Sequence, residues 1–423
     1  MDAAQLLRNA WKRLGPGFIT GTSDDDPSAI GTYAQAGAQF GLAQLWTALF
    51  TFPMMAATQE LCGRIGLVTG LSLAAVLRRH YARPIVLAIV FVQLATNTIN
   101  IGADLSGMAQ GGQLLWHLPY PVWLGIAVAV MLPLMAFLPY RHYAGYLRFL
   151  GLTLLVYIAA AVPLRIDWRA VLHATFVPVV RFNKDFLVTF VGVLGTTISP
   201  YEFFWQASEE VEELVEQDAI PHEGVRPPRD AIDVGAMRWD TTFGMFVCNL
   251  LMYFIILVTA LTLGAHGVTN IETAAQAAQA LRPLAGPVTF VLFALGIISA
   301  GFLAIPVMAS SSAYALAGAF DWPRGLSGNP LQRPAFYGVI VGSTLLGLLI
   351  NLAPVPPFKL LIYAAVLNGI VAPPLLLMVL LVSENPRVMG RHRTPWVSRV
   401  LVWTLFALMS LSVVALIVFS LRK

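Results

Sequence analysis

The chain has 423 residues, of which 57% are hydrophobic and only 11% are Asp, Glu, Lys or Arg. Soluble domains carry about a quarter charged residues, so the composition excludes an ordinary water-soluble enzyme or binding module. The formal charge of +4 is small for a chain of this length and requires no nucleic-acid partner.

Apolar stretches of the length that crosses a bilayer, roughly 20 residues each, fall near 15–40, 43–63, 84–112, 120–139, 146–163, 186–215, 239–264, 287–317, 334–351, 357–382 and 396–420. They predict an all-α polytopic membrane protein with eleven transmembrane helices. With residues 1–14 inside, 18 of the 26 Lys and Arg fall on the inner side and 8 on the outer. The positive-inside rule then places the N-terminus in the cytoplasm and the C-terminus outside, as expected for a bacterial cytoplasmic (inner) membrane protein. The opening "MDAAQLLRNAWKRLGPG" lacks the signal-peptide pattern, which leaves the first span as the expected export signal.

The first span is interrupted at "DDDPS", where Asp26 precedes Pro27. Proline removes a backbone donor and biases the residue before it out of the helix, so carbonyls and amides are freed at membrane depth. Such groups survive there only where they line a cavity or a bound solute. Span two carries Glu60 four residues before Arg64, read as a helix-surface ion pair, and Cys62, read with Cys248 of span seven as a small packing residue. In span three, Asp104 lies within "NTINIGADLSGMAQGG" beside Asn97, Asn100 and several small residues, as expected of a helix packed in the interior. Asp104 fits a proton relay or ion guide and, equally, a structural hydrogen-bonding role.

Span six is interrupted at "GTTISPYEF", where Ser199 precedes Pro200. The two breaks open the first helix of two five-helix sets, 15–163 and 186–382, with the helix at 396–420 additional. Because five is odd, the second set enters from the opposite face. That pattern predicts an inverted repeat with a substrate site where the broken helices meet; the plainer alternative is two ordinary proline kinks. After span six an acidic run within 209–238, "EEVEELVEQD", reads as a solvated helix end followed by a Pro-broken loop, or as a cation-binding or regulatory segment.

A carboxylate at bilayer depth is costly and is expected to meet a cation. Helical neighbours point about 100° apart, so Asp24, Asp25 and Asp26 cannot share one focus. Asp26, at the break, is the expected direct ligand. Asp24 and Asp25 would line the approach, hold a water shell around the ion, or simply line an aqueous vestibule. Glu202, in the first turn after the second break, would offset the positive helix end, unless it is a plain first-turn acid. None of the seven His lies within a span, which disfavours a His relay or a Cys/His zinc cage. The remaining donors are oxygens: carboxylates, carbonyls, and the hydroxyls of Ser28, Thr196, Thr197, Ser199 and Tyr201. Oxygen donors suit hard ions such as Mg²⁺, Ca²⁺ and Mn²⁺.

"GPGFITGTSDDDPSAIGTYAQAGAQFG", followed by "GRIGLVTG", resembles the opening of the NRAMP (natural resistance-associated macrophage protein) divalent-metal transporters. The resemblance implies a LeuT-type fold with a 5+5 inverted repeat and broken helices one and six. The family's first break carries Asp-Pro-Gly-Asn, whose Asp and Asn bind metal. Asp26 matches the Asp, whereas Ser28 and Ala29 stand in the last two positions, so the Asn ligand is missing. In span six the family's Ala, two residues, then Met-Pro-His appears as Thr196, then Ser199, Pro200 and Tyr201. A second family His appears as Gln206. The acid of span three is kept as Asp104, and its acidic neighbour a turn earlier appears as Ile101. Loss of the thioether relaxes selection for transition metals, and these departures resemble the magnesium-transporting branch. The expected function is therefore uptake of Mg²⁺, with Mn²⁺ next, by a secondary carrier with weak or absent proton coupling. Alternatives are a proton-coupled Mn²⁺/Fe²⁺ transporter of NRAMP type and an amino-acid or organic-solute symporter on the same fold. No catalytic residues, no cofactor apart from the transported ion, and no obligate protein partner are expected; the bilayer is the environment.

Overall fold

The structure is a computed structural model that describes residues 15–137, 155–281, 288–326 and 330–421. Every regular element among them is helical. The first broken pair is α1 (Pro16–Asp24) and α2 (Pro27–Phe40), followed by α3 (Trp46–Thr69) and the short α4 (Leu73–His80). Next come α5 (Arg83–Leu115), α6 (Tyr120–Phe137), α7 (Val156–Ala161) and α8 (Trp168–Phe176). The second broken pair is α9 (Lys184–Thr197) and α10 (Pro200–Glu216). The chain continues through α11 (Val234–Leu261), α12 (Ala274–Ala278), α13 (Thr289–Phe320), α14 (Pro334–Ile350), α15 (Pro357–Glu384), α16 (Pro386–Met389) and α17 (Trp396–Leu421).

Among the described residues seven spans are long and apolar enough to cross a membrane, the α9–α10 pair counting as one. α2 and α3 qualify together but bend by 105° at their junction, and α14 is an apolar helix of 17 residues. The first half of the expected span near 146–163 lies outside the described residues, and the second half contains α7. The chain is an integral membrane protein of the LeuT-type fold, with broken helices where the sequence places them.

Packing puts the breaks at the centre. α5 runs along α13, α14 and α15, while α11 lies against α1, α2 and α3. α10 packs on α3 and α13, and α17 covers α3, α9 and α15 from outside the central group. Without a hydrophobic force between helices in lipid, close approach depends on small residues. Gly21 of α1 meets Gly244 of α11 so tightly that a Cβ at Gly21 would lie 2.2 Å from the Gly244 carbonyl carbon. Polar side chains add interhelical bonds. Asn100 and Asn368 exchange hydrogen bonds of 2.7 and 3.1 Å between α5 and α15. Asn97 donates to Ser312 Oγ of α13 at 2.9 Å.

Two expectations are corrected here. Glu60 is not a surface residue: it is buried and binds Arg64, Arg238 of α11 (2.9 Å) and Ser398 of α17 (2.9 Å), so it joins three helices. The segment 209–238 is not a loop from its start, because α10 continues to Glu216 and buries Val211 and Leu214. Glu209 and Glu210 are buried with them, and Glu212 accepts from the Leu326 amide at 2.7 Å. The first acids of that stretch therefore belong to a packed helix, while Glu216 and Asp218 are exposed at its solvated end.

Candidate functional site

Each break is set by a proline at the first position of the second half-helix, where the missing N–H costs nothing. Asp26 and Ser199, immediately before Pro27 and Pro200, are both extended, with ψ of 170° and 116°. Asp26 caps its own half-helix: Oδ1 accepts from the Ala29 amide and from Ser28 Oγ, both at 2.7 Å. Ser199 Oγ donates to the Thr196 carbonyl at 2.9 Å, which closes the end of α9. The breaks face each other. The Tyr201 hydroxyl donates to the Ser23 carbonyl at 3.2 Å, and Asp24 lies beside Ser199 and Glu202.

All eleven sequence-predicted site residues are buried: Asp24, Asp25, Asp26, Ser28, Ala29, Asp104, Thr196, Ser199, Tyr201, Glu202 and Gln206. The structure brings most of them to one place. Asp104, on α5, sits within electrostatic reach of Asp26, and a glycine one turn along at Gly107 admits Pro27, whose Cβ would lie 2.8 Å from a Cβ there. Glu202 Oε2 accepts from Gln59 of α3 at 2.5 Å. Gln206 lies further along α10, between Thr20 and Glu210, to which it donates at 2.9 Å. It is an interhelical linker rather than a member of the central group. Thr197, also weighed as a donor, is tied to Tyr33 and to Met252 Sδ.

Several buried acceptors have no well-aligned hydrogen-bond donor: both oxygens of Asp104, which lie near the Ser28 amide, Oδ1 of Asp24 and Oε1 of Glu202. Buried polar atoms are almost always satisfied, and those that are not usually mark a functional site. Asp104 lies beside the Ser28 backbone amide at the first break. Asp24 and Asp25 are 0% and 3% exposed in this structure. The principal charges acting on these acids are one another. Among the described residues no three His, Cys, Asp or Glu side chains converge as a metal cage, in keeping with the divergent directions expected of three consecutive aspartates.

Two site residues were missed by sequence reading, and both lie on α11. Cys248, read as a packing residue, donates its thiol to Asp24 Oδ2 at 3.1 Å and lies 3.5 Å from Asp25 Oδ1. Asp240 accepts from the amides of Gly15, Gly17 and Phe18 at 2.9, 2.8 and 3.2 Å, and so caps α1 from another helix. The signal was a row at fourfold spacing, Asp240, Gly244, Cys248 and Met252. Residues four apart share a helix face, and this face meets α1 from its first turn to its last.

Among the described residues the chain is all-helical and two interrupted helices meet over buried acids, an arrangement that secondary transporters use at their substrate sites; the LeuT-type fold is the one its structural likenesses show. The chain belongs to the NRAMP family: the family model described as natural resistance-associated macrophage protein-like matches residues 17–419. It is similar to the divalent metal cation transporter MntH of Mycobacterium tuberculosis, with 26% identity over 98% of this chain and 93% of the relative. MntH of Klebsiella pneumoniae is 27% identical over 93% of this chain and 91% of the relative. Among solved structures, the manganese transporter of Eremococcus coleocola superposes with a TM-score of 0.76 at 14% identity, covering 98% of this chain and 88% of that one. The inward-facing conformation of Mhp1 gives 0.54 at 14% identity, covering 96% and 89%. These two likenesses establish the fold.

Proposed function

We propose that this member of the family is a secondary carrier of divalent metal cations, taking Mg²⁺ ahead of Mn²⁺, with protons coupled weakly or not at all. The observation that carries the reading is the meeting of two helix breaks over Asp24, Asp26, Asp104 and Glu202, with unfilled acceptor positions on three of the four. Like charges gathered at bilayer depth are costly without a cation among them. The names of the MntH relatives and of the manganese transporter support a divalent metal as that cation.

In this reading Asp26 is the primary ligand. Its Oδ1 holds α2, and the remaining oxygen turns to the ion. Backbone carbonyls around Asp26 and Thr196, with the Ser199 hydroxyl, complete the shell directly or through water, and Ser28, Ala29 and Tyr201 lie at the same site. Asp24, Asp25, Glu202 and Asp104 add charge around it, and Gln206 acts at second hand. Mg²⁺ keeps several of its waters and accepts few carboxylates, which suits a site without a cage. The two broken helices would rock against a scaffold to expose the site alternately, with the N-terminus in the cytoplasm, the C-terminus outside and the inner membrane as location. A divalent ion moving inward gains about 4.6 kcal/mol per 100 mV, twice the unit-charge figure, so uptake needs no coupled proton.

A proton-coupled Mn²⁺ or Fe²⁺ carrier is the second reading, favoured by Asp104, a buried acid whose two oxygens have no well-aligned donor. An organic-solute symporter is disfavoured because Glu202 and Asp24 occupy the positive end of α10, where a substrate carboxylate would dock. The test is reconstitution in liposomes with Mg²⁺ and Mn²⁺ influx followed beside internal pH, and Asp26→Ala as control. Mg²⁺ entry without acidification is expected. Mn²⁺ entry with acidification and no Mg²⁺ flux would overturn the choice of ion and of coupling, and entry of neither ion would overturn the function.

A further inference from the structure

We propose that Cys248 is the sulfur donor of the cargo site and determines whether thiophilic divalent ions such as Cd²⁺ can bind there; this rests on the carrier reading above. Its Sγ lies 3.1 Å from Asp24 Oδ2 and 3.5 Å from Asp25 Oδ1, and all three side chains are enclosed by protein. The site opens on a second, independent feature. Asp24 Oδ1 and, across the break, Glu202 Oε1 are buried acceptors without a well-aligned donor, and the two carboxyls lie beside each other. A thiol beside a carboxylate with unused acceptor capacity presents one soft and one hard donor to the same small volume.

The geometry is close to what ligation requires. Metal–sulfur and metal–oxygen bonds of about 2.3 and 2.1 Å at a tetrahedral angle set sulfur and oxygen about 3.6 Å apart. The separations here are 3.1 and 3.5 Å, so a zinc-sized ion needs Cys248 to withdraw by a few tenths of an ångström, and Cd²⁺ by somewhat more. Gly244, one turn earlier on α11, fixes the approach of that helix to α1 and so holds the thiol at the break.

Chemically the residue acts in two ways. Toward a hard, hydrated cargo the thiol keeps its proton and donates to Asp24, because Mg²⁺ has little affinity for sulfur. Toward a soft ion the S–H bond breaks as the S–metal bond forms, and the proton leaves to bulk buffer. No oxidation change is involved. The oxygen-only shell read from the sequence is therefore incomplete, and thiophilic ions compete for a site otherwise built from hard donors.

The test uses full-length protein in detergent, with Cd²⁺ alone as the probe. Cd²⁺ affinity is measured by calorimetry and by the ultraviolet thiolate-to-Cd²⁺ charge-transfer band, in wild type, Cys248→Ser and Cys62→Ser. Both cysteines are free and buried, so each serves as the other's reference. The expected result is a Cd²⁺ affinity at least tenfold weaker in Cys248→Ser, with the band lost, and both retained in Cys62→Ser. Competition in liposomes adds a ratio: Cys248→Ser should weaken Cd²⁺ block at least tenfold more than it alters Mn²⁺ uptake. A band that survives in Cys248→Ser, or that disappears in Cys62→Ser, would overturn the assignment. Failure of the carrier reading would show separately, as absence of Mg²⁺ and Mn²⁺ flux in wild-type liposomes while the band is still present.

Discussion

Replacement of Asp240 by Ala removes the cap that α11 provides for α1. Three backbone amides, those of Gly15, Gly17 and Phe18, donate to the Asp240 carboxylate at 2.9, 2.8 and 3.2 Å. Substitution of an ordinary N-cap by Ala costs about 0.5–2 kcal/mol, and hydrogen bonds to a charged group are worth about 1.5–3 kcal/mol each. A cavity of about 160 Å³ beside Gly15, Pro16 and Asp240 can hydrate the released amides, which keeps the loss well below the sum of three such bonds. The expected cost is about 2–4 kcal/mol, or a 30- to 700-fold rise in the detached population of α1 at about 1.4 kcal/mol per factor of ten. Hydrogen exchange on the peptide covering Pro16–Asp24 reads this directly, since local opening sets the exchange of protected amides. Exchange there should accelerate by that factor in Asp240→Ala and by less in Asp240→Asn, which keeps one acceptor oxygen, while α9 stays unchanged. Equal exchange in wild type and Asp240→Ala would show that glycine packing alone holds α1, and the reasoning would fail.

Asp26→Ala should abolish metal flux and cost about 0.5–2 kcal/mol as a lost N-cap. Asp26→Asn should keep the cap through its Oδ1 yet lose flux, and flux measured beside thermal melts separates the two roles. Gly21→Ala places a methyl against the Gly244 backbone, where neither helix can yield without shifting. Melts in detergent should show a loss of about 1–3 kcal/mol or more, and an unchanged midpoint would refute the tight α1–α11 crossing. Glu60→Gln strips a buried carboxylate from Arg64, Arg238 and Ser398. A cost of about 3–5 kcal/mol is expected for breaking a buried pair, against roughly 0–1 kcal/mol for a surface pair, so a single stability measurement distinguishes burial from exposure.

The fold of the central group makes these tests separable. α1 is held by α11 at three levels: the Asp240 cap, the Gly21–Gly244 contact, and the thiol of Cys248 on Asp24. The first two lie outside the acid cluster. Perturbing them changes how firmly α1 is held without removing a proposed ligand, whereas changes at Asp26 or Cys248 act on the cargo itself.

Local signals settled much of this in the sequence. Runs of apolar residues dictate membrane helices because each backbone polar group must be paired within its own segment in lipid. Pro27 and Pro200 dictate the breaks because a proline constrains only itself and its immediate neighbours, and both half-helices begin at those residues. Asp26 as a cap and Glu202 in a first turn follow from the same short-range chemistry. The partners of those residues were decided by packing. Cys248 meets Asp24 across 224 positions and Asp240 meets Gly17 across 223, separations at which no propensity or spacing rule operates. Glu60 looked like half of a surface pair because only Arg64 is local; Arg238 and Ser398 arrive with α11 and α17. Asp104 could be placed on a buried helix from its small and amide neighbours, yet whether its oxygens found donors depended on what α2 and α13 brought against it. Composition and proline placement fix which segments are helices and where they stop, and the tertiary packing alone fixes which side chains are left facing one another with charge to satisfy.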